Sequence, residues 1–76
     1  INSKDTLALQ EKAIALEEFE RYPEAIKCFE DVLNIDAQHG GFYLTRIISC
    51  YKKLGDKTKQ KEYEDKLKKW EDDDLT

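Results

Sequence analysis

Tyr22-Pro23-Glu24-Ala25-Ile26-Lys27-Cys28-Phe29-Glu30-Asp31-Val32-Leu33-Asn34-Ile35-Asp36-Ala37 decides how this chain is read. Pro23 has no N–H to lose and a φ already near the helical value, so it suits the first turn of a helix. Glu24 follows at the positive end of the helix dipole. Ala25, Ile26, Phe29, Val32 and Leu33 then recur at steps of three and four, which places them on one face. Ala25 is small where a neighbouring helix could approach closely. The segment is a helix whose apolar face needs cover, and the rest of the chain is arranged to provide it.

Upstream, residues 3–20 read as a first helix, capped by Ser3 or Asp5. Leu9, Ala13, Leu16 and Phe19 or Glu20 form one stripe; Leu7 and Ile14 form a second beside it. Two apolar edges call for contacts on more than one side. Pro23 disfavours helix at Tyr22, so Arg21-Tyr22-Pro23 is a tight break between antiparallel neighbours. Downstream, the paired glycines mark Ala37–Gly41 as a turn. Leu44, Ile47, Ile48, Tyr51 and Leu54 share a face of a third helix, about 42–54, which Gly55 terminates. Asp56 can cap a fourth, about 57–72, whose apolar set is only Tyr63, Leu67 and Trp70. Glu62/Lys66, Glu64/Lys68 and Asp65/Lys69 are favourably ordered i,i+4 pairs on its surface. Residues 73–76 read as an acidic tail. The expected fold class is all-α.

The 76 residues suffice for one small domain with a thin core. A charged fraction of 39% and a mean hydropathy of −0.81 describe a well-solvated chain with no membrane span. The first residues carry no signal peptide, and the missing initiator Met suggests a piece of a longer, cytoplasmic (intracellular) protein, whose targeting signal could lie outside the fragment. The net charge of −4 is no general invitation to nucleic acid. Its distribution is uneven: residues 1–36 carry four basic and nine acidic groups, and residues 37–70 nine basic and four acidic. Solvated helix faces explain this, and head-to-tail contact at low salt is the alternative.

Helix, short turn, helix occurs twice. Leu9, Ala13 and Leu16 correspond to Leu44, Ile48 and Tyr51, and Phe29 and Leu33 to Tyr63 and Leu67, at a period near that of two-helix repeats. The pattern resembles the tetratricopeptide repeat (TPR) family over residues 5–70. Leu9, Ala13, Tyr22, Ala25 and Phe29 match its slots in the first unit, with Leu16 replacing an aromatic, Glu20 the turn glycine, Val32 the second alanine and Ala37 the closing proline. Leu44, Tyr51 and Gly55 match in a more degenerate second unit. The resemblance implies a single domain over 1–72, with units at about 5–38 and 40–72. Its antiparallel hairpins would stack as a right-handed superhelix, the last of the four helices capping it.

Function follows from the same resemblance. TPR first helices line a concave face that holds a partner's helix or peptide. Here that lining would be Leu7, Gln10, Ile14, Glu17 and Glu18, joined by Phe42, Thr45, Ser49 and Lys52. Leu7, Ile14 and Phe42 are apolar residues the main stripes do not use, which favours a protein partner with an apolar segment. Equally, they could pack on a neighbouring repeat or another copy, since two units bury little and domain swapping through a straightened Gly40-Gly41 is a route to a homo-oligomer. The carboxylate-clamp variety of TPR is not matched, because Gln10, Ile14 and Arg46 stand in its lysine and asparagine slots. The expected role is a scaffold or adaptor.

No catalytic, cofactor-binding or metal-binding residues are expected. His39 reads as a solvated loop histidine with no ligand-spaced partner. Cys28 and Cys50 read as reduced structural thiols; a nucleophile would need a base and an orienting group brought to it by the fold. The lysines between Lys52 and Lys61 are the best candidates for a phosphate- or nucleic-acid-binding adaptor. They lack interleaved aromatics and lie on different helices.

Overall fold

The computed structural model describes the backbone of residues 3–75 and the side chains of residues 6–72. It is all-α, with no strand among the described residues. The elements are α1 (Ser3–Glu18), α2 (Tyr22–Ile35), a 3-10 turn (Ala37–His39), α3 (Gly40–Leu54) and α4 (Lys57–Leu75). Each helix packs on the next in the chain: α1 on α2, α2 on α3, α3 on α4. The Cα trace fills a slab of 34 × 34 × 13 Å. Among the described residues, no helix is long and apolar enough to cross a membrane.

Pro23 stands in the first turn of α2, and the face predicted from its spacing is the centre of the core. Ala25, Phe29 and Val32 have no exposed surface and Ile26 has 5%. Ala13 of α1, Leu44 and Ile47 of α3 and Tyr63 of α4 close over it, with Leu9, Leu16, Tyr51, Leu67 and Trp70 packed at the margins.

The two hairpin turns are built alike. In the first, Arg21 N–H donates to Leu16 O (2.8 Å) and Glu20 N–H to Glu17 O (3.0 Å). In the second, Asp56 N–H donates to Tyr51 O (3.0 Å) and Gly55 N–H to Lys52 O (3.2 Å). Every donor and acceptor has moved on by 35 residues, and both chains leave the helix through a left-handed residue: Glu20 at φ 62° and Gly55 at φ 76°. Orphan carbonyls at each helix end are thereby satisfied. Asp56 then caps α4, its Oδ1 accepting from Lys59 N–H at 3.1 Å.

Several boundaries differ from the sequence reading. The first helix ends at Glu18, so Phe19 lies in the turn, 78% exposed and outside the core stripe. Side-chain capping by Ser3 or Asp5 lies outside the described side chains. The fourth helix runs on through Leu75 rather than ending in a tail at residue 73, and Thr76 lies outside the described residues. On α4, Glu62 pairs with Lys59 (3.4 Å), Glu64 accepts from Gln60 (3.2 Å), and Lys66 sits over the Tyr63 ring, 4.4 Å from its centroid, so these three groups engage partners other than those expected at i,i+4.

The largest difference is at Gly40-Gly41, which form the first turn of α3 and not the loop before it. Gly40 is helical at φ −57°, ψ −36°. The glycines are there for space. A Cβ on Gly40 would lie 2.8 Å from Trp70 Nε1, and one on Gly41 2.8 Å from Trp70 Cζ3. The indole lies against bare backbone and directs its N–H at Ala37 O, 3.4 Å away. The connection that would have to straighten for a domain swap is therefore Asp36–His39.

Two stability experiments follow. An L-residue in the left-handed region costs about 1 kcal/mol relative to glycine, so Glu20→Gly should raise the unfolding free energy by about that amount in urea titration. Gly55→Ala should lower it similarly, although no atom of the described residues lies within 4 Å of the added Cβ. Alanine is favoured over glycine inside a helix by about 1 kcal/mol. In a Trp70→Ala background, Gly41→Ala should therefore stabilise. In the parent the clash should cancel or reverse that gain, and equal effects in both backgrounds would show that the indole does not dictate the glycine.

Candidate partner-binding groove between α1 and α3

The first and third helices meet across an ion pair. Arg46 Nη1 lies 3.5 Å from Glu17 Oε1. That oxygen is buried and has no hydrogen-bond partner among the described residues, so the guanidinium charge is what offsets its desolvation. Arg46 also stands over Phe42, its Cζ 5.5 Å from the ring centroid, within cation–π range. Phe42 in turn sets its edge on Tyr43, with centroids 5.5 Å apart and ring planes at 75°.

Tyr43 is 2% exposed and donates its hydroxyl proton to Asp36 Oδ2 at 3.2 Å. The same oxygen is 2.8 Å from His39 Nδ1. Gln10, Asp36, His39, Phe42 and Tyr43 line a cleft of about 380 Å³. Burial pushes the Tyr43 phenol above its ordinary pKa, and the Asp36 charge adds to the shift. Cys50, fully buried beside this joint, is pushed up to about 11, first by burial and then by the Glu17 charge, with Arg46 opposing. At neutral pH it is a thiol, and Cys28 is a second buried free cysteine.

The expected lining is only partly assembled here. Gln10 and Phe42 share the cleft, and Glu17 reaches α3 through Arg46. Ile14 is half-buried against the core. Leu7 is 54% exposed and Phe42 43%, large apolar surfaces left to solvent. Ser49 is half-buried, and Glu18 and Thr45 are exposed. The Thr45 hydroxyl is already engaged, donating to Gly41 O at 2.7 Å. Lys52 lies instead at a cleft of about 380 Å³ with Gly55, Lys57, Gln60, Lys61 and Glu64. The lysines assigned to different helices thus do converge, with a carboxylate among them.

No family model, curated protein or solved structure matches the chain. The groove is accordingly described by its own residues. Sequence reasoning missed Arg46 as its central cation, and Asp36, His39 and Tyr43 as its floor. The signal available was spacing: Phe42 and Arg46 are i,i+4, and Asp36 and His39 are i,i+3, so each pair shares a face or a turn. Among the described residues, no group of three His, Cys, Asp or Glu is placed to hold a metal ion.

The raised thiol has a consequence for alkaline stability. The folded Cys50 titrates near 11 against an ordinary value of 9.0. Above pH 9 the unfolded chain sheds this proton first, so the contribution is complete below pH 9 and is lost as pH rises to about 11. The Tyr43 and Tyr63 phenols are also raised and act in the same direction. Urea midpoints should fall between about pH 9 and pH 11, and Cys50→Ala should make that fall shallower. An unchanged slope would remove Cys50 as a contributor.

Proposed function

We propose that this chain is a protein–protein interaction module, a TPR-type scaffold or adaptor that holds a partner's helix along the α1–α3 groove. The observation that carries this reading is the placement of Leu7 and Phe42. Both are large, apolar and about half exposed, and Phe42 is braced from behind by Arg46 and Tyr43. A half-exposed aromatic held in place by its neighbours loses little freedom when a ligand covers it, which favours its use as an anchor. The surrounding Gln10, Glu17, Asp36 and Arg46 form a polar rim suited to orienting an amphipathic segment. Such a partner presents apolar side chains at i, i+3 or i+4, and i+7.

A display library of helical peptides, panned on the immobilised chain, tests this. Selected binders should carry that spacing and lose at least about tenfold in affinity, roughly 1.4 kcal/mol, on a Leu7→Asp, Phe42→Asp double variant. Both positions are exposed, so circular dichroism should show an unchanged fold. Binders indifferent to the double variant would move the binding surface elsewhere.

A further inference from the structure

The 35-residue equivalence of the two turns allows each face of α3 to be compared with its counterpart on α1. One face of α3 lies on its own hairpin partner: Trp70 covers Gly40 and Gly41, and the Tyr51 ring stands 5.4 Å from that of Tyr63. A second face, Tyr43, Ile47 and Cys50, is buried against the first hairpin, where Tyr43 bonds Asp36. The counterparts of these three residues on α1 are Ala8, Lys12 and Ala15, and all three are exposed.

Charge says what covers them. The hairpin–hairpin joint within the chain is marked by Glu17 and Arg46. Moved by 35 residues, Glu17 becomes Lys52, and Arg46 is preceded by Glu11 at the same interval. The signs are exchanged, the pair is still complementary, and both residues are exposed. Lys12 stands where α3 has the buried Ile47, and, at the 34-residue interval that relates Phe29 to Tyr63, Glu62 stands on α4 where α2 has the buried Cys28. This second pair is also of opposite sign. The larger balance agrees, since residues 1–36 are acidic in excess and residues 37–70 basic in excess.

We propose that a second copy of this chain docks its α3–α4 hairpin on the Ala8–Lys12–Ala15 face of α1. The contact repeats between molecules the joint that the first hairpin makes with α3, with Glu11 opposite Lys52 and Lys12 opposite Glu62. Ala8 and Ala15 leave room for the aliphatic stems of lysines across the joint. The contact is heterologous and does not close, so copies add head to tail. It depends on exposed charges, so salt weakens it: the Debye length falls from about 10 Å at 0.1 M to about 3 Å at 1 M.

Sedimentation velocity of the full chain over a rising concentration series tests the proposal. At low salt the weight-average coefficient should climb with concentration, and at about 1 M salt it should return to the monomer value. Glu11→Lys alone and Lys52→Glu alone should each give a monomer, because like charges then meet at every joint. An equimolar mixture of the two variants should regain the climb, since each joint between unlike chains is again complementary. A parent that stays monomeric throughout, single variants that associate like the parent, or a mixture that stays monomeric would each overturn it.

Discussion

The molecule depends on α2 having cover on both sides. Ala25, Phe29 and Val32 reach zero exposure inside a slab only 13 Å thick, which is possible because α1 and α3 close on the helix from either side. Burying one such large apolar side chain is worth about 1.5–3 kcal/mol. A domain of this length has a net stability of only about 4–11 kcal/mol at the usual margin per residue. A handful of contacts on one helix therefore decides whether either hairpin persists, and neither hairpin hides its apolar edge without the other.

Around that centre, tyrosine hydroxyls are directed at carboxylates. Tyr63 of α4 donates to Glu30 on α2, and Tyr43 of α3 donates to Asp36 at the end of α2. Each ring fills core volume while its polar tip is satisfied at the margin. The first of these bonds ties the last helix to the second, past its nearest neighbour. The charged surface of α4 contrasts with α1, which keeps Leu7, Ala8 and Ala15 in solvent.

Much of this was legible in the sequence. The period of 3.6 in Ala25, Ile26, Phe29 and Val32 identifies a buried face without knowledge of its neighbours, because periodicity is local. Gly55 and Asp56 were legible for the same reason, as cap residues act within one turn. Gly40 and Gly41 were not. Their role depends on Trp70, some 30 residues away, and paired glycines are ordinarily turn markers. The cleft was legible in part: the TPR resemblance named Gln10 and Phe42, which share it, whereas the convergence of Arg46 on Glu17 depends on how two helices approach. The meeting of Lys52 with Lys57 and Lys61 at one cleft was not legible either, because the turn between α3 and α4 brings them together.

The seat of Trp70 has one more consequence. It is the chain's sole tryptophan, and it lies where the outermost helix meets the connection between α2 and α3. Its emission is an optical reporter of that one junction. Detachment of the terminal helix would expose the indole to water while the α1–α2 pair stayed intact, so the fluorescence of this protein follows the docking of its final segment and is a poor proxy for the melting of the whole.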